Sequence, residues 1–353
     1  MTKFFKAALL LMGLFAASTI KADEFRIERF TIAAGETKTV TLYLDGSRDY
    51  INFQLDIYLP EGITIEENSR GIPNWKINLE MQTEVGDHAI SGNKLDDTKG
   101  HYRIIVKSDY NYAFKSQKGN IVDLPLVASD QVLTGEQVIK LTNQTLTDKS
   151  LTGHKFDDKD CPCEVQINTT VSSLEFASFS WPRALDFTDT GVKVYIAKDS
   201  KNGSVKLEEV KKVPANTGVI LNGNQGTCHP QTTDVTDDVS GNLLTGTAKG
   251  AYKIDADNVY VLSNLDNGKP GLYRANVGVT VKQYKAYMVL SGSQDAKDAY
   301  SFDFTTDGIE AIDFSQVSTD NSDASAIYSI NGQRVRITSK GIYVSGGKKY
   351  VVR

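Results

Sequence analysis

Hydrophobic and polar residues alternate along much of this chain, with a period of two rather than 3.6. The clearest run is residues 50–59. Ile51, Phe53, Leu55, Ile57 and Leu59 fall on one side; Tyr50, Asn52, Gln54, Asp56 and Tyr58 fall on the other. Such alternation predicts a strand with one buried and one wet face, as in an antiparallel sheet packed on a single side. Residues 37–44 repeat the pattern, with Val40, Leu42 and Leu44 opposite Thr39, Thr41 and Tyr43. Asp45-Gly46 opens a loop between the two runs, and Pro60-Glu61-Gly62 breaks the second.

Further strands are predicted at 102–107, 121–127, 137–142 and 164–167. A second series is predicted at 173–179, 192–197, 204–213, 218–221, 259–263, 271–275, 285–290 and 299–304. Gly203, Asn222-Gly223-Asn224, Asp266-Asn267-Gly268 and Ser291-Gly292-Ser293 punctuate it. Many short strands between polar turns make the fold all-β, with two β-sandwich-like domains at residues 23–168 and 169–304. Residues 305–325, dominated by Gly, Ser, Thr and Asp, read as a linker. Residues 326–353 read as a short C-terminal β-hairpin tail. There Asn331-Gly332 sits between apolar strands, the strongest short hairpin cue, because a type I′ turn needs two residues at positive φ. Two hairpins of this size bury too little to stand alone.

The first 22 residues are set apart from the fold. Lys3 and Lys6 precede an apolar run at 7–17, too short to span a bilayer, and acidic residues begin directly after Ala22. This order predicts a secretory signal cleaved after Ala22. Removing Lys3, Lys6 and Lys21 takes the formal charge from −5 to −8, which speaks against a nucleic-acid surface. No later apolar run is long enough to predict a membrane span. Cys161, Cys163 and Cys228 leave one thiol over in any pairing, and their spacing suits neither zinc nor a redox motif.

Three resemblances add to this reading. Ala34-Gly35-Glu36 before Val40 and Leu42, then Phe53-Gln54, Asp56-Ile57, Leu59-Pro60 and Gly62, resemble the cohesin-like β-sandwich, a fold shared with some carbohydrate-binding modules. That resemblance implies a module that binds a glycan or a partner protein. Residues 213–221, Gly271-Leu272-Tyr273 and Lys285-Ala286-Tyr287 look like a β-domain recurrent in exported proteins of Gram-negative gut and oral bacteria, which implies fold and no chemistry. The tail resembles the C-terminal sorting domain of type IX (Por-type) secretion at Tyr328, Gly332, Val335, Gly341, Tyr343, Gly347, Lys348 and Arg353, although it is shorter. That resemblance implies recognition by secretion machinery and a place outside the cell or on its outer surface.

Candidate chemistry changes the picture little. There is no nucleophile elbow, zinc-binding helix, P-loop or dinucleotide fingerprint. His88, His101, His154 and His229 are widely spaced, and the acidic clusters around Asp96-Asp97, Asp157-Asp158 and Asp237-Asp238 fit no calcium loop. No catalytic residue, metal or cofactor is expected. Aromatic side chains are the better lead, because Tyr and Trp combine an apolar ring with a polar edge. Tyr50 and Tyr58 on the wet side, Trp75 after Pro73-Asn74, and Tyr110 and Tyr112 in a loop are the candidate glycan- or partner-binding residues. The expectation is an exported, non-enzymatic surface protein. A structural or adhesin subunit and a glycan hydrolase of unrecognised type are the alternatives.

Overall fold

A computed structural model describes residues 23–82, 87–96, 100–264, 269–290 and 297–304, and the strand backbones at 309–311, 328–329, 341–345 and 348–352. The expected signal, with its cleavage site at Ala22, lies outside the described residues. So do Gly332, Val335, Gly347 and Arg353 of the tail. The chain divides into two compact units. One comprises residues up to 30, 37–127 and 136–163; the other comprises 31–36, 128–135 and 164 onward.

The N-terminal strands are β1 (Glu24–Ile27), β2 (Phe30–Ala33), β3 (Thr37–Asp45), β4 (Tyr50–Tyr58), β5 (Ile63–Ile65) and β6 (Lys76–Ile77). They continue as β7 (His88–Asp96), β8 (His101–Ser108), β9 (Lys118–Ala128), β10 (Gly135–Asp148), β11 (Gly153–Lys155) and β12 (Lys159–Gln166). One sheet runs β1-β3-β9-β5 with β6 on β9; the other runs β2-β12-β10-β4-β8-β7 with β11 on β10.

The predicted alternation sets the register. Leu55 pairs with Ile104 and Ile57 with Tyr102 on one sheet; Val40 pairs with Leu124 and Leu42 with Val122 on the other. The apolar members of these pairs are all buried. The two inner faces meet where Phe25 of β1 packs on Phe53 of β4, centroids 4.9 Å apart, and where the Tyr102 hydroxyl accepts the Ile65 N–H at 3.2 Å. Each such fully buried large side chain contributes about 1.5–3 kcal/mol. A sandwich results, in which β1 with β3, β3 with β9, β10 with β4, β4 with β8 and β8 with β7 pair antiparallel.

In the second unit a nine-stranded sheet runs Phe176–Phe179, Val219–Asn222, Lys193–Lys201, Ser204–Val210, Ala299–Phe304, Gly271–Arg274, Val259–Ser263, Ala286–Val289, Leu244–Gly246. Both faces are covered. Val194 and Ile196 belong to one apolar cluster, while the intervening Tyr195 and Ala197 belong to another. The sheet ends return toward each other, with a bridge between Thr217 and Thr245.

The tail forms a four-stranded sheet, in the order Ile309–Ala311, Lys348–Val352, Gly341–Ser345, Tyr328–Ser329. Gly341–Ser345 and Lys348–Val352 make the expected hairpin, and Tyr328 pairs with Val344. Ile309–Ala311, inside the expected linker, pairs in parallel with the last strand.

Candidate functional site

The outer face of the β10-β4-β8-β7 sheet is a polar surface built by strand register. Opposed residues share a face. One row across it is therefore Asn93, Arg103, Asp56 and Thr142, and the next is Ser91, Ile105, Gln54 and Thr145. Asp56, expected on the wet side, is 0% exposed. Arg103 explains this by gripping it through two bonds, Nε to Oδ1 at 2.6 Å and Nη2 to Oδ2 at 2.8 Å. A bulge in β10 supplies a third donor. Asn143 sits at φ 49°, and its amide donates to Asp56 Oδ2 at 2.7 Å. His101 Nε2 stands 3.3 Å from the same oxygen, and its ring stacks on Tyr58 at 4.0 Å. Burial pushes the Asp56 pKa upward, and the hydrogen bonds from Arg103 and Asn143, with the His101 ring close by, more than offset it. The net value lies below the usual carboxylate range.

β8 runs from this face into the loop at 109–117. Tyr110 is 75% and Tyr112 45% exposed, with ring centroids 6.2 Å apart and planes tilted by 45°. Their backbone is fixed from several directions. Asn52 Oδ1 accepts the Ser108 N–H at 2.7 Å, and Ser108 Oγ accepts the Tyr112 N–H at 2.8 Å. Ser108 Oγ in turn donates to Asp87. The Phe114 N–H donates to the Tyr50 carbonyl at 2.9 Å, and Asn111 takes the left-handed turn at φ 57°. Phe114 is buried and stacks on His88 at 4.3 Å. Two large aromatic side chains thus stand in water on a pinned loop.

Ser108, Asp87 and His88 come together here, but the wiring does not make a nucleophile. A catalytic triad places the imidazole between hydroxyl and carboxylate. Here the carboxylate is in the middle: Ser108 donates to Asp87, and Asp87 Oδ1 lies 3.4 Å from His88 Nδ1. Burial holds the His88 pKa below its ordinary value, although Asp87 pulls the other way. The set orders the loop.

The remaining sequence candidates separate. Tyr50 is 0% exposed, so its expected place on the wet side is corrected. Its ring is edge-on to His154 and Phe156 and its hydroxyl donates to Asp23, because β11 and the chain after it cover that end of the strand. Trp75, at 6% exposure, packs edge-on to Tyr102 and offers no open ring face. Tyr58 is half-buried under its stack with His101. Tyr110 and Tyr112 are the two that face solvent. Sequence reasoning missed Arg103 and Asn143, which lie 47 and 87 positions from Asp56; only the lone acid in the wet set of β4 hinted at them. Cys161, Cys163 and Cys228 are buried and form no disulfide with one another. Asp237 accepts the Lys211 and Lys212 N–H groups at 2.7 and 2.9 Å, so it holds a turn. Gly341, Tyr343 and Lys348 lie on tail strands, as does Tyr328.

No family model and no curated protein matches this sequence. Among solved structures the chain is similar to cohesin modules. One is a type I cohesin of Clostridium thermocellum in complex with a dockerin: 14% identity, 40% of this chain and 98% of that one, TM-score 0.33. Another is the sixth cohesin of scaffoldin B from Acetivibrio cellulolyticus, also with a dockerin: 13% identity, 40% and 98% coverage, TM-score 0.32. A third is a non-cellulosomal cohesin from the archaeon Archaeoglobus fulgidus: 9% identity, 40% and 90% coverage, TM-score 0.32. At such identities the likeness is one of fold.

Proposed function

We propose that this is an exported, non-enzymatic surface protein of a Gram-negative bacterium whose N-terminal sandwich binds a partner protein through the Tyr110–Tyr112 loop and the adjoining outer sheet face. The observation that carries this reading is the exposure of both tyrosines on a loop fixed by core hydrogen bonds. Tyrosine is enriched at interface hot spots, and a pinned loop loses little entropy when it docks. Beyond the tyrosines, β8 carries Arg103, Ile105 and Lys107 on one face, a mixed polar and apolar surface of the kind interfaces use. A glycan platform needs a flat aromatic strip. The 45° tilt between the rings and the burial of Trp75 favour a protein over a sugar. The four-stranded tail is the export or retention tag read by a type IX-like route.

The test uses the mature chain on immobilised surface-protein extract and on glycan arrays, beside Tyr110→Ser/Tyr112→Ser. The expected result is a protein partner retained by the wild type and lost with the double variant, while unfolding is unchanged. Retention by the double variant, or binding to glycans alone, overturns it. Export is tested separately: deleting residues 309–353 should hold the chain in the periplasm and keep it from the outer surface.

A further inference from the structure

A second site lies in the other unit and is independent of the tyrosine loop. A groove of about 370 Å3 has walls of Leu174, Phe176, Leu262 and Val281, with Ala177 and Ala286 at its floor as buried residues. Lys282 and Lys285 are the charged residues that line it among those described. The turn between them is built. Tyr284 takes a left-handed backbone at φ 63°, and its carbonyl accepts the Ser180 N–H at 3.2 Å. The Lys285 N–H donates to Thr247 Oγ1 at 2.8 Å, and its carbonyl accepts the Ser180 hydroxyl at 2.8 Å and the Thr247 hydroxyl at 2.9 Å. Thr247 Oγ1 also donates to the Lys282 carbonyl at 2.8 Å, so the backbone carrying both lysines is fixed beside the groove.

Among the described residues no carboxylate pairs with either ammonium. Both residues are exposed overall, yet partial burial of the Lys285 ammonium, with repulsion from Lys282, holds its pKa below the ordinary lysine range. Two like charges lining a largely apolar trough suit an anion with a hydrocarbon body. Thr170, Ser172, Ser178 and Thr280 add hydroxyls to the lining, but most of it is aliphatic or aromatic, and an acidic peptide would have to desolvate its peptide groups there at a cost.

We propose that the groove binds the free monomer of a long-chain carboxylic acid, its alkyl chain along Phe176, Leu262 and Val281 and its carboxylate at Lys282 and Lys285. The alkyl chain would leave water and the anion would relieve the repulsion between the lysines.

The test is titration calorimetry of the mature full chain with dodecanoate below its micelle concentration and with dodecanol, on wild type and Lys282→Gln/Lys285→Gln. Dodecanoate should bind the wild type about tenfold more tightly than dodecanol does, as expected for losing a charge-assisted contact. In the double variant that preference should vanish, while the melting of the unit, followed by Trp181 fluorescence in a Trp75→Phe background, stays unchanged. Failure of dodecanoate to bind, or equal binding to the double variant, overturns the proposal. So does lysine-dependent sedimentation with anionic vesicles that free dodecanoate does not displace, since a membrane surface would then be the ligand.

Discussion

Truncating Arg103 to alanine strands a carboxylate. Asp56 has a side chain 1% exposed, whereas that of Arg103 is 36% exposed. Breaking a buried pair by deleting one partner costs about 3–5 kcal/mol. Asn143 and His101 remain beside Asp56, and water already reaches the arginine site, so the expected loss for Arg103→Ala is about 2 kcal/mol. Asp56→Asn leaves the more exposed partner behind and keeps an acceptor, so it should cost about half as much. The order of the two variants is the sharper comparison, because it follows from which charge is desolvated.

Trp75 sits in the first unit and Trp181 in the second, so a Trp181→Phe background lets urea titration by fluorescence report the sandwich alone. The pH dependence follows in sign. The folded Asp56 pKa lies below the ordinary aspartate value of 3.8, so its contribution is present above that value and is lost as pH falls through the folded one. The gap between wild type and Arg103→Ala should therefore narrow on acidification below 3.8. A loss under about 0.5 kcal/mol, or a larger loss for Asp56→Asn, would show that Asp56 is not the desolvated charge.

Three further outcomes are expected. His88 is kept neutral by burial, below the ordinary histidine value of 6.5, while the unfolded chain protonates freely. Stability of the sandwich should thus fall as pH drops through 6.5, and His88→Phe, still stacked on Phe114, should flatten that slope in the same urea assay. Gly92 has φ 147°, and an added Cβ would lie 1.9 Å from the Arg103 carbonyl oxygen and 2.8 Å from Trp75. Gly92→Ala should cost the sandwich about 3 kcal/mol, read as a shifted urea midpoint. The buried thiols, with Cys228 pushed up to about 11 by burial, should resist a thiol reagent in the native protein and react at three per chain after denaturation.

Strand β4 is legible in the sequence because its inner residues pack on one apolar layer throughout. Its outer face is legible only in part. Burial at Tyr50 and Asp56 comes from distant chain, β11 for one and Arg103 with Asn143 for the other, and period-two reasoning carries no information about such partners. β7 escapes sequence reading because it is polar and Gly92 interrupts it; its register comes from β8. Ile309–Ala311 reads as linker because three residues carry no periodicity, and their strand character arises from pairing with Lys348–Val352. Tyr110 and Tyr112 can be singled out, since they flank Asn111 in a polar stretch. The hydrogen bonds that fix their loop cannot.

Whether the tyrosine loop is the docking surface is decided by hydroxyl-radical footprinting of the captured complex. Tyr110 and Tyr112, oxidised readily in the free chain, should be protected when the partner is bound, with Ile105 on the adjoining face protected alongside them. Unchanged oxidation of both tyrosines in a saturated complex would contradict a partner seated there.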